Sequence, residues 1–111
     1  MSSITDEYMR EMRGKAKPYT LVILHKTAKL NEPGMDKVVW EHGRRNYQMR
    51  RDGKLSIVGP IRDESDVCGF IIFPAGPEEA RTTMEGDPGV QAGIFAYETH
   101  PTVSFPGDAL A

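Results

Sequence analysis

The chain has a single cysteine, Cys68, among 111 residues, so no internal disulfide is possible and a disulfide-stapled scaffold is excluded. It has no apolar run near the roughly 20 residues that a membrane-spanning helix needs, and its N-terminus lacks the apolar segment of a signal peptide. Cytoplasmic residence and no membrane partner are the expectations. Neither sign of charge prevails: 14 basic residues stand against 16 acidic ones, for a net charge of −2. That balance argues against nucleic acid or an anionic membrane as a partner. The local cluster Arg44-Arg45 and Arg50-Arg51 is flanked by Glu41 and Asp52 and reads as a solvated helix face. Also missing are G-x-S-x-G, G-x-G-x-x-G and Walker sequences, which excludes a nucleophile elbow, a dinucleotide fingerprint and a P-loop. His25, His42 and His100 have no ligand spacing such as H-x-x-x-H, so neither a metal site nor a cofactor is expected.

What is present is one domain's worth of chain, long enough to bury a core unaided. Residues 3–14 suit a short helix. Ser3 or Thr5 is available as N-cap, Asp6 and Glu7 fall in the first turn, and Ile4, Tyr8 and Met12 form a modest stripe. Residues 19–25 are rich in strand formers. Asn31-Glu32-Pro33-Gly34 is a turn, and Met35 to Arg51 is the longest helical pattern, stopped by Asp52-Gly53. Strands are predicted over 54–61 and 67–73, joined by a charged loop over 62–66. Pro77 opens a short helix to about Glu85, with two glutamates in its first turn. Gly86-Asp87-Pro88-Gly89 breaks it, and a fourth strand follows over 93–103, interrupted or ended near Pro101.

The order βαββαβ after an N-terminal helix is the split βαβ, or ferredoxin-like, arrangement: an α+β fold with two helices on one face of a four-stranded antiparallel sheet. The boundaries fall into an N-terminal helical extension over 1–17, the ferredoxin-like domain over 18–103, and a tail over 104–111. A sheet with one wet face alternates apolar and polar residues. Here Leu21 to Leu24 are all apolar, and so are Val67 and Phe70 to Phe73. The chain's own helices cover one face only. A second copy is the simplest cover for the other, which predicts a homodimer joined through its sheet faces.

At 100° per residue, Met35, Val38, Val39, His42, Asn46 and Met49 share one face of the long helix, with Trp40 and Tyr47 on its flank. His42 thus points at the sheet from the middle of an apolar stripe. Two readings stand: a core histidine bonded to a backbone carbonyl, or a chemical group in a pocket.

An ordered set of short motifs bears on that choice. It runs from His42 through Gly53-Lys54-Leu55, Gly59-Pro60, Gly69-Phe70, Pro77-Glu78-Glu79-Ala80, Asp87-Pro88 and Ala92-Gly93 to Pro101. Over residues 19–103 this set resembles the YciI-like (YCII-related) family. The resemblance implies a dimeric ferredoxin-like protein of the dimeric α/β-barrel type, with an active-site His and Asp between helix and sheet. The matching positions are His42 and Asp87. It also implies elimination or isomerisation on small organic molecules as candidate chemistry.

The physical case for such a pair is that a carboxylate on one ring nitrogen fixes the tautomer, leaving the other nitrogen to take or give a proton. Asp before Pro is equally a turn or cap residue. Gly59 and Pro60 read either as a strand terminator or as a place where a ligand approaches the backbone. His25 ends the first strand, where it faces pocket or solvent, and with Gly59 and Pro60 it is a candidate substrate-binding residue; His100 reads as structural or exposed. Cys68 reads as a buried, inert thiol. Three functions fit: a proton-transfer enzyme acting on a small organic ligand, a non-catalytic ligand-binding or dimerisation module, and a regulatory accessory that presents a patch including Trp40.

Overall fold

A computed structural model describes residues 3–111, so the first two residues of the predicted extension lie outside the description. The elements are α1 (Asp6–Lys15), β1 (Lys17–Lys26), a 3-10 turn (Ala28–Asn31), α2 (Met35–Arg51), β2 (Ile57–Pro60), β3 (Val67–Phe73), α3 (Pro77–Glu85), α4 (Pro88–Gln91) and β4 (Phe95–Ser104). The strands form one sheet in the order β2-β3-β1-β4, with every neighbouring pair antiparallel. This is the ferredoxin-like arrangement expected from the sequence.

α2 begins after Gly34, whose φ of 85° turns the chain in, and ends at Asp52 before Gly53, whose φ is 73°. α3 carries Pro77 in its first turn with Glu78 and Glu79, residues that favour a helix start. α1 starts later than residues 3–14 suggest, because Thr5 caps it by accepting the Tyr8 amide hydrogen at 3.1 Å. It also runs through Gly14 to Lys15 and buries none of its residues.

Two strands depart from expectation. β2 is shorter than 54–61: Lys54 closes the turn after α2, its amide bonded to the Met49 carbonyl, and Leu55 is withdrawn into the core as a plug. β4 runs unbroken through Pro101, which lies opposite Thr20. Proline is tolerated there because β4 is an outer strand, so a missing N–H costs no ladder bond on the free side.

The core lies between the helices and one face of the sheet. Val22 and Leu24 from β1 and Ile71 and Phe73 from β3 meet Met49 of α2, Ala80 and Met84 of α3, Ile94 just ahead of β4 and Phe95 at its start. Thr20 is fully buried, and its hydroxyl donates to the Ala75 carbonyl at 2.7 Å, which offsets its desolvation. Truncating Phe73 in such a core costs about 3–5 kcal/mol. The opposite face carries Leu21, Ile23, Ile57, Phe70 and Ile72, all partly exposed and in cross-strand register.

Candidate active site

Two helices and a strand bring the site together. His42 sits in the third turn of α2, and its side chain keeps 12% exposure. Asp87 follows α3 and is not merely the end of that helix. It is the N-cap of α4, with Pro88 in the first helical position. Its Oδ2 accepts from the Gly89 and Val90 amides at 2.9 and 3.1 Å. Its Oδ1 lies 2.7 Å from His42 Nδ1. Both oxygens are therefore used, and this satisfies a carboxylate whose side chain is only 1% exposed.

That arrangement assigns the ring's tautomer. An ionised carboxylate only accepts, so His42 Nδ1 must carry the hydrogen and donate it to Asp87 Oδ1. In the neutral ring Nε2 is then a lone pair. Asn46, one turn further along α2, places Nδ2 at 3.3 Å from it, a long hydrogen bond that is easily displaced. The imidazole also packs against Phe95, with ring centroids 4.7 Å apart and planes at 54°.

Gly89 makes this closeness possible. A Cβ there would collide with the Phe95 ring and stand 3.0 Å from Asp87 Oδ2. Only a residue without a side chain lets Phe95 and the carboxylate meet over the start of α4.

His42 and Asn46 border a cavity of about 390 Å³ walled mainly by apolar groups, including Leu24, Val58, Ile71 and Phe95. Gly59 and Pro60 lie on its wall. A side chain at Gly59 would strike the Phe70 ring at 2.8 Å, so packing against Phe70 accounts for the glycine. Cys68 also borders the cavity, and burial pushes its thiol above the usual range, which disfavours a ready thiolate nucleophile.

His25 is elsewhere. Side chains alternate along a strand, so Leu24 lines the cavity while His25 projects to the opposite sheet face and is not among the cavity residues. There its Nε2 is 2.6 Å from Glu98 Oε1, and His100 Nε2 is 2.6 Å from Glu98 Oε2. Hydrogen bonds from both rings hold the Glu98 carboxyl below its usual range. Trp40 and Tyr47 are exposed on α2, where with Arg44 and Arg51 they border a second, more open groove of about 540 Å³. Among the described residues, no group of three or more His, Cys, Asp or Glu side chains is arranged to hold a metal ion, and no helix is long and apolar enough to cross a membrane.

The sequence reading missed Gly89, Phe95 and Arg45. The Asp87-Pro88 pair did carry a signal for the first: Asp at N-cap with Pro at N1 is a helix-start signature, which makes the next residue part of a first turn. The charge pattern predicts a solvated face for Arg45, yet it turns inward and donates from Nη2 to the Thr83 carbonyl at 2.7 Å.

No protein-family profile matches the chain, and no curated protein matches it. Among solved structures it is similar to 5-chloro-2-hydroxyhydroquinone dehydrochlorinase (TftG) from Burkholderia phenoliruptrix AC1100, in complex with 2,5-dihydroxybenzoquinone. The identity is 21%, covering 76% of this chain and 90% of that one, with a TM-score of 0.48. Similarity at this level says nothing of substrate, and the chemistry of the site is read from its own residues.

Proposed function

We propose that the chain is a small-molecule enzyme of YciI-like type in which His42 and Asp87 carry out proton transfer, by elimination or isomerisation, on a small organic substrate. The observation that carries this reading is the 2.7 Å bond from His42 Nδ1 to Asp87 Oδ1 at the wall of an apolar cavity. Asp87 holds the hydrogen on Nδ1, so Nε2 is the proton acceptor. On ligand binding the Asn46 amide gives way, and Nε2 takes a proton from the substrate. The resulting imidazolium is stabilised by the buried carboxylate and returns the proton at a second substrate atom or to a leaving group. Gly59 and Pro60 belong to the wall against which the substrate rests.

In the same reading the protein is a cytoplasmic homodimer whose second copy covers Leu21, Ile23, Ile57, Phe70 and Ile72. A contiguous apolar face of this kind favours self-association, and a face-to-face contact closes with two-fold symmetry. Sedimentation at micromolar concentration is expected to give a mass near twice 12.4 kDa; a monomer under those conditions overturns the dimer.

The test of the chemistry is a panel of small cyclic carbon acids incubated with the protein in D2O and read by mass spectrometry. The expectation is deuterium uptake by at least one compound, lost in His42→Ala and in Asp87→Asn. Uptake that survives His42→Ala, or no uptake by any compound at high protein concentration, rejects the reading.

A further inference from the structure

Arg45 lies three residues beyond His42 on α2, so both side chains leave the helix on neighbouring lines about 4.5 Å apart along the axis. Arg44, Arg50 and Arg51 are exposed, but Arg45 is half-buried. Its Nη2 donates at 2.7 Å to the Thr83 carbonyl in the last turn of α3. The same carbonyl accepts the Gly86 amide hydrogen at 3.2 Å, and the Asp87 amide donates to the Met84 carbonyl at 3.0 Å. A Cβ on Gly86 would stand only 2.8 Å from Arg45 Nη2. The guanidinium therefore lies directly on the Gly86 backbone, one residue before Asp87.

One helix thus grips the turn over 83–87 at two points. His42 meets it at the Asp87 carboxylate, and Arg45 meets it at the Thr83 carbonyl and Gly86. Arg45 Nη1 is buried and makes no hydrogen bond among the described residues. Burying a guanidinium with one nitrogen unpaired is unfavourable, whereas the same arginine turned outward, like its neighbours, would be fully hydrated. The inward placement needs a compensating role, and its hydrogen bond to Thr83 and its approach to Gly86 both fall on the segment that delivers Asp87.

We propose that Arg45 is a positioning residue for the His42–Asp87 pair: its clamp on Thr83 and Gly86 sets where the Asp87 carboxylate meets His42 Nδ1. This rests on the reading of that pair as the proton-transfer group. A carboxylate that drifts by an ångström loses a well-aligned bond to Nδ1, and with it the fixed tautomer that leaves Nε2 free.

The test is 15N NMR of the His42 ring, with exchange of its Nδ1-bound hydrogen, in the full-length protein. The native protein is expected to show the Nδ1–H tautomer with slow exchange. Arg45→Met is expected to give mixed tautomers and exchange at least about tenfold faster, as for a locally opened site, with Arg45→Lys intermediate. Gly86→Ala, which keeps the arginine but pushes its guanidinium away, is expected to act in the same direction and carries the test alone if Arg45→Met does not fold. Arg81→Met, on the exposed side of α3, is expected to change nothing. A native ring signature in Arg45→Met or in Gly86→Ala overturns the proposal, even if thermal stability falls. Asp87→Asn separates the two readings: if it retains the native ring signature, the His42–Asp87 pair fails whatever Arg45 does.

Discussion

On each side of the sheet a histidine is bonded to a carboxylate, at 2.7 Å for His42–Asp87 among the helices and 2.6 Å for His25–Glu98 on the strands. By distance they are equivalent; by surroundings they are opposites. His42 and Asp87 keep 12% and 1% of their side-chain surface, His25 and Glu98 35% and 45%. In the single chain, water solvates the second pair whether or not the bond forms, so little is gained by forming it. The first pair has no such alternative. Each Asp87 oxygen is committed to a protein donor, and removing a partner strands a buried polar group. Contact length therefore does not rank these pairs; the availability of solvent does.

The sharpest way to break that comparison is Asp87→Asn. The Gly89 and Val90 amides still require an acceptor, so the new carbonyl stays on them and the new NH2 faces His42. Nδ1 must then accept, and the hydrogen moves to Nε2. Any proton-transfer activity is expected to fall by roughly 10³–10⁴-fold, as for a triad histidine held in the wrong tautomer, in a steady-state assay against the native protein. Glu98→Gln is expected to leave the rate unchanged. Comparable losses in both variants would erase the distinction.

Next in size is stability. Asp87→Ala strands two amides and one ring nitrogen and is expected to cost about 3–5 kcal/mol in urea titration, whereas Glu98→Ala should keep a near-native midpoint. Where the proposed homodimer forms, Ile23→Glu on the open face is expected to bring the sedimenting mass down to near 12.4 kDa without unfolding the chain. A retained dimer would show that the face is not the contact.

Two pH profiles sharpen the contrast further. Tyr97, on the helix side of β4, donates to Glu85 Oε2 at 2.7 Å, and burial, aided by Glu85, pushes its phenol up to about 12. A group whose folded pKa is raised contributes stability that is fully present below its unfolded value, about 10 for tyrosine, and is lost as pH rises toward 12. Tyr97→Phe is expected to remove that alkaline loss from a series of denaturant midpoints. Glu98 has the opposite sign. Its lowered carboxyl contributes above the usual carboxylate range, near 4.3, and loses that contribution as pH falls through the lowered value. Glu98→Gln is expected to flatten the acid limb, the smallest of these effects.

Much of the fold was legible because local chemistry and tertiary context agree. The limits Met35–Arg51, Val67–Phe73 and Pro77–Glu85 can be read from residue pattern and stop signals alone. What escaped depends on partners distant in sequence. Pro101 argues against a strand until β4 is known to be an outer one. Leu55 reads as strand until the pocket that receives it exists. Arg45 is indistinguishable from Arg44 in sequence, and only the placement of α3 beside α2 turns one inward. His25 is a substrate-binding candidate while its face is open, and the alternation starting at Leu24 places it outside the cavity once the inner face is known. The helical phase aimed His42 at the sheet and the family resemblance singled out Asp87. The four-residue helix α4, which holds the carboxylate in place, is too short to carry any periodicity.

The prolines of the strands have a consequence for how copies of this chain meet. Pro60 lies in β2 and Pro101 in β4, the two outermost strands, and Pro18 lies where β1 has passed beyond the reach of β3 and pairs with β4 alone. Each free margin of the sheet thus includes a residue with no N–H to offer. A bare sheet margin is a template on which strands add without end, and such growth leads to fibres. With every margin interrupted, the broad apolar face is the surface left for the proposed dimer, a contact that is complete after one addition.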